Sequence, residues 1–390
     1  MSTSNILLTL SIFGVAWPLA IYPIILRWLS KTPPRSGTIP DGARVVIIPC
    51  HNEEQVISKK ILDIAAKLRK DRDRIIVVDD GSNDKTVSIT QTAASQTAVQ
   101  INALVFPRQG KHKSITAALD TVREPIVIIT DANSVLKNNA IIELVKPFQD
   151  SRVGVVRGNY IAKPQRECGL GSIAAKYQHI ERGRFLAESE RSMLNVSGGT
   201  LQAFRRELFP KNERLTMTED WDMTLSICEQ GFTTAYADMA TSEKYVSDRP
   251  KDLLLQNVRL VYGTIQTTFK HILRPALWRN KRLLLAFVGG KSAQVMTTLW
   301  LTLLMATLLQ QALQGSFVAS LFLITIASIG IIALLAVIID WKGQRHYTGT
   351  MRTIEYLFLI QLSSLFAWVL FILRRGRNWR GWTPLQSIRN

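Results

Sequence analysis

Charge is missing from two long stretches of this chain, and acid from two more. No charged side chain occurs in residues 1–26 or 292–339. Stretches of about 18 or more apolar residues without charge are long enough to cross a bilayer. Residues 5–29, charged only at Arg27, form one such span, the second run divides at 310–316 into two, and 354–373, charged only at Glu355, make a fourth. A cleaved export signal is the other reading of the first, but the basic front end and small-residue cleavage site of a signal are lacking. Acid is absent from 253–291, where Arg259, Lys270, Arg274, Arg279, Lys281, Arg282 and Lys291 stand. It is absent again after 373, where Arg374, Arg375, Arg377, Arg380 and Arg389 form a basic tail over 374–390. The net charge of +18 is thus gathered beside the apolar runs. Cytoplasmic flanks and anionic lipid account for that placement, and nucleic acid is not expected as a partner. Cysteine is scarce as well: Cys50, Cys168 and Cys228 are odd in number, widely separated and without metal-ligand spacing. They fit small buried sites in a reducing compartment.

What is present is one polar portion between the apolar segments. A Pro- and Gly-rich linker over 31–43 leads into it. The pattern predicts strands at 44–48, with Pro49 as the stop, and at 74–78, 99–106 and 126–130. Helices are predicted between them, from Glu53 or Glu54 to 69, over 85–95 with Ser82 or Asp84 as cap, from the 107–113 loop to 122, and over 139–148. Strand and helix alternate, so the fold class expected is α/β with a doubly wound sheet. Further on come a strand at 152–157, a helix over 170–189, a strand and turn at 197–209, a helix up to 231 opened by a capping box of Thr216 with Glu219, and a strand at 232–237. Leu254, Val258, Val261, Ile265, Phe269 and Ile272 then recur as the stripe of an amphipathic helix, which is expected to lie on the membrane surface under the polar domain, the other reading being an ordinary surface helix packed on the core.

The run IVIITDANS ends in Asp131 and Asn133. An unbroken apolar run reads as a strand buried on both faces, and ligands in such sheets sit beyond the carboxyl ends of the strands. Two oxygen-bearing side chains there suit a hard divalent ion completed by substrate phosphates, or simply a turn. Asp79 and Asp80 end the second strand, where a carboxylate can accept from a base N–H and a ribose hydroxyl, or cap a helix. Arg108, Lys111 and Lys113 flank a glycine, as phosphate binding requires, but without P-loop spacing. Glu219 and Asp220 open a helix, where acids are favoured electrostatically and one can also serve as general base.

Together VVIIPCHNEE, VVDDGSND, RQGKHKS, TDANS, SGGTLQAFRRELF, TEDWDMT and QNVRLVYGTIQ, over residues 45–270, resemble the membrane-embedded family 2 glycosyltransferases: the poly-N-acetylglucosamine, chitin-oligosaccharide, hyaluronan and cellulose synthases. The resemblance implies a cytoplasmic GT-A domain over 44–250, interfacial helices over 251–290, about three spans over 291–373, a UDP-sugar donor, a Mg²⁺ or Mn²⁺ cofactor and inversion at the anomeric carbon. By the same resemblance Pro49, Asn52 and Glu53 contact the nucleotide, Asp79 and Asp80 hold uracil and ribose, and Lys111 contacts the donor. Asp131 and Asn133 hold the metal, Glu219 and the base Asp220 are catalytic, and Gln256, Arg259 and Leu260 lie near diphosphate and acceptor.

Asn133 replaces the second acid of the DxD motif, and Leu260 replaces the tryptophan of QxxRW, removing an aromatic platform for an acceptor sugar. The function expected is extension of a β-linked polysaccharide, with N-acetylglucosamine as the sugar, at a bacterial inner membrane. The alternatives are transfer of a single sugar to a lipid acceptor and an inactive sugar-nucleotide-binding subunit. Four spans are few for a translocation channel, so a homo-oligomer or partner membrane subunits are expected. With the domain inside and three spans after it, the basic tail would end outside, against the positive-inside tendency.

Overall fold

The computed structural model describes residues 3–167, 169–196, 198–211, 215–341 and 349–376. Cys168, the loop cations Lys342 and Arg345, and Arg377, Arg380 and Arg389 of the tail lie outside them.

The chain opens with α1 (Thr3–Ala16), a π-helical turn (Trp17–Ile21) at Pro18, and α2 (Tyr22–Trp28). The alternating part follows: β1 (Arg44–Cys50), α3 (Ile57–Ala65), β2 (Arg74–Asp80), α4 (Thr86–Ala94), β3 (Gln100–Phe106), α5 (Lys111–Leu119), β4 (Ile126–Thr130), the two-residue β5 (Val135–Leu136) and α6 (Ala140–Val145). Next come β6 (Val153–Pro164), α7 (Leu170–Ser189), β7 (Leu201–Arg205), α8 (Glu219–Glu229), β8 (Thr233–Val246) and α9 (Pro250–Ile272). Two short helices, α10 (Pro275–Arg279) and α11 (Lys281–Gly289), lead to α12 (Lys291–Leu313), α13 (Phe317–Trp341) and α14 (Thr350–Leu373).

One mixed sheet runs β3-β2-β1-β4-β7-β6-β8-β5. Its first four strands are parallel, β7 is antiparallel to both β4 and β6, and β6 and β8 pair in parallel. The parallel strands alternate between two cores. Val46, Ile48, Ile75, Val77 and Ile128 face α3 and α6, whereas Val45, Ile47, Ile76, Val78, Val127 and Ile129 face α5 and Phe204. Both faces are covered, which is why these strands read as unbroken apolar runs.

Several boundaries differ from the sequence expectation. Pro49 does not stop β1: it pairs with Val78, and β4 reaches only Ile47, so its missing N–H faces no partner strand. Helix α3 starts only at Ile57, after a turn through Glu54. Strand β6 continues to Pro164 and β8 to Val246, pairing nearly throughout. The predicted Thr216–Glu219 capping box is not formed. Helix α8 begins at Glu219 with Thr218 at the N-cap, and the Thr216 and Thr218 hydroxyls are both turned to Thr267 of α9.

The amphipathic stripe of α9 is packed on protein: Val258 and Ile265 are buried against Val295 of α12 and Ala367 and Trp368 of α14. Among the described residues, four helical segments are long and apolar enough to cross a membrane: Thr3–Trp28, Lys291–Leu313, Phe317–Asp340 and Thr350–Leu373.

Candidate active site

The site forms where β1, β2 and β4 end. Asp131, Ala132, Asn133 and Ser134 make a four-residue turn beyond β4, closed by the Ser134 amide and hydroxyl, which donate to Asp131 O at 3.3 and 2.9 Å. The turn is fastened from below by Lys60 of α3, which is 3 % exposed. Its Nζ donates to Thr130 Oγ1 (3.0 Å), Ser134 O (2.6 Å) and Ser134 Oγ (2.9 Å).

Four charged groups meet at the turn. Lys111 Nζ lies 3.0 Å from Asp131 Oδ1 and 3.5 Å from Glu219 Oε1, and Lys244 Nζ lies 3.0 Å from Asp131 Oδ2. Burial alone would raise the Asp131 pKa, but the two ammonium groups outweigh it and hold the carboxyl well below its ordinary value. Burial likewise opposes the charge on Lys111, and Asp131 and Glu219 overcome it, so its pKa stands above normal. Lys111, Glu219 and Asp220 line one crevice with His112 and Gln202.

The loops at the ends of β1 and β2 interlock beside this cluster. The Asn52 amide donates to Ser82 Oγ at 2.9 Å, Asn83 N donates to Asn52 Oδ1 at 2.9 Å, and Glu53 N donates to Thr86 Oγ1 at 2.8 Å. Asp79 accepts from the Ser82 amide at 3.0 Å and from its hydroxyl. Asp84 accepts from the Thr86 amide at 3.0 Å at the first residue of α4, whose N-cap position falls to Lys85 and not to Ser82 or Asp84.

Asp80 accepts from Arg108 Nη1 (2.8 Å), the amides of Gln109 and Gly110 (3.0 Å each) and Ser114 Oγ (2.8 Å). Protein donors take up its oxygens, so its place is to anchor the 108–114 loop and thereby Lys111. Gly81 makes this possible: its φ is +71°, and a Cβ there would come within 2.8 Å of Arg108 N.

Gln256, Arg259 and Leu260 are carried by α9, and Leu260 is 42 % exposed. Farther along, α9 grips α8. Gly263 lets it approach so closely that a Cβ would lie 2.8 Å from Thr218 N. Gln266 Oε1 accepts from Met217 N at 3.2 Å, and Lys270 Nζ reaches Asp222 Oδ1 at 2.8 Å. His271, fully buried, sits between Asp222 Oδ1 (2.7 Å) and Glu229 Oε1 (2.6 Å).

Lys60, Lys244, Asp222 and His271 were not singled out from the sequence. Lys244 lies in the half of β8 whose polar alternation hides it from a search for apolar runs. The signal for the α8 clamp was the KH pair about three turns after Arg259.

Asp131 and Asn133 offer a carboxylate and an amide oxygen. That is a donor set for Mg²⁺ or Mn²⁺ when substrate phosphates supply the remaining ligands. Among the described residues no group of three or more His, Cys, Asp or Glu could cage a metal unaided. The residues therefore fit an ion that arrives with a diphosphate.

Residues 40–263 match the model of a family described as Glycosyltransferase like family 2. The chain belongs to that family. It is a family 2 glycosyltransferase with a GT-A fold. Similar curated proteins include an N-acetylglucosaminyltransferase of Rhizobium leguminosarum bv. viciae, 25 % identical over 316 residues, covering 71 % of this chain and 72 % of that protein. Another, from Rhizobium meliloti, is 26 % identical over 343 residues, covering 83 % and 78 %. Among solved structures, a mannosyltransferase from Pyrobaculum calidifontis in complex with GDP-Man and Mn²⁺ aligns with a TM-score of 0.70 at 22 % identity, covering 95 % of this chain and 99 % of that one.

Proposed function

We propose that this glycosyltransferase inverts a UDP-sugar donor, N-acetylglucosamine being the sugar, onto the end of a growing β-linked polysaccharide at a bacterial inner membrane. The observation that carries the reading is the meeting of Lys111, Asp131 and Glu219 in one ion-paired cluster beyond the sheet, with Asp220 in the same crevice as Lys111 and Glu219. The two rhizobial N-acetylglucosaminyltransferases support the sugar.

Pro49, Asn52, Glu53 and Asp79 surround the nucleotide, and Asp80 sets the loop that presents Lys111. The acceptor hydroxyl attacks the anomeric carbon opposite the diphosphate. Asp220 takes the hydroxyl proton as the new C–O bond forms, and the bond to the diphosphate breaks with its electron pair leaving on UDP. Lys111, oriented by Glu219, offsets the charge that develops on the leaving group, and Arg259 with Gln256 flanks diphosphate and acceptor. A divalent ion, Mg²⁺ or Mn²⁺, held by Asp131 and Asn133 together with the diphosphate, supplies further charge neutralisation when bound. One displacement inverts the centre, so an α-linked donor gives a β-linked product. The catalytic domain faces the cytoplasm, where nucleotide sugars are made.

Leu260 favours a second reading, transfer of one sugar to a lipid-linked acceptor, because its exposed aliphatic side chain gives no platform for a sugar ring. An undecaprenyl-phosphate sugar transferase of Pseudomonas fluorescens, 33 % identical over 91 residues, supports that alternative.

The test is UDP release by the purified protein with Mg²⁺ or Mn²⁺ and a panel of UDP-sugars, with products sized. A ladder of products from one donor is expected, whereas a singly glycosylated lipid would establish the second reading. Asp220→Asn is expected to lower kcat by about 10²- to 10⁴-fold with donor binding intact, the range for loss of a positioned general base. Full activity in that variant would remove Asp220 from the mechanism.

A further inference from the structure

Lys244 holds half of the Asp131 carboxylate, yet it belongs to none of the family motifs in the sequence. It projects from β8 at the register position opposite Ala162 of β6. Its Nζ is 3.0 Å from Asp131 Oδ2, just as Lys111 Nζ is 3.0 Å from Oδ1. Each carboxylate oxygen therefore faces its own ammonium. The Lys244 side chain is 22 % exposed and that of Lys111 31 %, so both remain open to the crevice.

The charges decide what such a site selects. Two lysines against Asp131 and Glu219 leave the cluster neutral, and Asn133 adds nothing, where a second acid would have made it negative. A divalent ion entering alone gains little here: it must displace ammonium groups from the one carboxylate it can use. A diphosphate brings two or more negative charges to the same place, and the displaced ammonium groups suit its oxygens.

We propose that Lys244 is a donor-binding residue. It holds Asp131 until the donor arrives, competes there with the divalent ion, and pairs with the diphosphate of the incoming nucleotide sugar. Nucleotide and metal then bind as a unit, because each removes the partner that opposes the other. This rests on the reading of the strand-end cluster as the donor site.

The test uses the full-length protein in detergent or lipid nanodiscs, with three equilibrium titrations: Mn²⁺ alone, and UDP and inorganic pyrophosphate each in the presence of chelator. Removing one nearby unit charge in Lys244→Met is expected to tighten Mn²⁺ about tenfold and to weaken UDP and pyrophosphate about tenfold. Lys244→Arg is expected to restore most of the UDP and pyrophosphate affinity. Lys137→Met, which removes an exposed lysine paired with Glu243 of the same strand, is expected to change neither. Thermal unfolding of each variant separates a binding effect from a folding one. Mn²⁺ and pyrophosphate affinities both within twofold of wild type in folded Lys244→Met overturn the proposal. An Asp131→Asn variant that still binds Mn²⁺ as well as wild type overturns the donor-site reading itself, whatever Lys244 does.

Discussion

Lys60 shows what one buried charge can be used for. Its ammonium ties the end of β4 to the Asp131 turn, and the Thr130 hydroxyl passes the connection on to Thr200 O at 2.8 Å. Burial strips it of water and pushes its pKa down to about 7, in spite of the pull of Asp131. Lys60→Met keeps the aliphatic stem and removes three hydrogen bonds, so the turn loses its anchor while the core stays filled. Expected is a fall of about tenfold or more in both kcat and Mn²⁺ affinity, since each lost hydrogen bond to a charged group is worth about 1.5 kcal/mol; unchanged values would show that the turn holds itself. The sign of the pH effect follows from the shift. A base whose folded pKa lies below its unfolded 10.5 binds fewer protons when folded, so wild-type stability rises between pH 7 and 10.5. Denaturant unfolding across that window should show the slope in wild type and lose it in Lys60→Met. The positions of Asp79, Asp80, Asp131 and Glu219 were legible in the sequence because each ends or opens an element. Roles were less so. Asp80 is saturated by the loop that it holds, and only the folded chain brings Arg108, Gln109, Gly110 and Ser114 around it.

Helix α9 is the element that joins site to membrane segments, and the sequence predicted its stripe but not its neighbours. An apolar stripe records that a face leaves water; lipid and the apolar sides of α12 and α14 satisfy it equally. The opposite side of α9 carries the clamp on α8. Both His271 ring nitrogens face carboxylates, an arrangement in which each must donate, and that requires imidazolium. Burial disfavours that charge, but the hydrogen bonds to Asp222 and Glu229 prevail and the His271 pKa is raised above 6.5. Its stabilisation is therefore complete below pH 6.5 and lost as pH rises through the raised value. Asp222 is shifted the other way, so its share is kept above pH 3.8 and lost as pH falls through its depressed value. His271→Gln should cost about 2 kcal/mol at pH 6, because it removes the buried cation between Asp222 and Glu229 and leaves each carboxylate with one cationic partner, Lys270 and Arg274, and the cost should shrink at higher pH. Equal destabilisation at pH 6 and 9 would contradict a charged His271. Gly263→Val tests the approach itself: its Cβ would meet Thr218 N at 2.8 Å and the Met217 carbonyl carbon at 3.1 Å, both backbone atoms that cannot swing aside. Transfer should fall at least about a hundredfold while UDP binding, on the far side of the crevice, stays near wild type. The parallel strands were readable because both of their faces are covered. The outer half of β8, Ser242, Glu243, Lys244 and Tyr245, is polar on both sides of the strand, and no apolar run marks it.

At the scale of the whole molecule, the course of α14 bears on the conflict between an exposed basic tail and the positive-inside tendency. By length and composition it is a candidate fourth span, but apolar length says only that a helix tolerates lipid. A crossing helix delivers its ends to opposite faces, about 30 Å apart. Both ends of α14 abut the catalytic portion. Near its start, Tyr356 and Leu359 pack on Leu170 and Ile173 of α7. Farther on, the Ser363 hydroxyl donates to Leu254 O at 3.4 Å, and beyond its end Gly376 O accepts from Gln266 Nε2 at 2.7 Å. Helix α14 thus runs beside α9, with Leu357, Leu365, Phe366, Val369 and Ile372 exposed on its outer side. The ends of the three remaining long helices meet as three crossings would require. Gln311 at the end of α12 meets Ser4 at the start of α1, Asp340 at the end of α13 meets Arg352 at 2.8 Å, and the close of α2 is tied to the domain by Arg191 Nε donating to Leu29 O at 3.0 Å. With three crossings, Arg374 and Arg375 would lie on the same side as the catalytic domain, where the positive-inside tendency places them. Single cysteines in a cysteine-free background, probed with a membrane-impermeant maleimide, check this in intact and permeabilised cells. Gln314→Cys should label in intact cells, whereas Ser95→Cys in the domain and Arg375→Cys after α14 should label only after permeabilisation. Labelling of Arg375→Cys from outside, with Ser95→Cys protected, would restore α14 as a fourth crossing and make the contacts of Gln266 and Leu254 with it untenable in the bilayer.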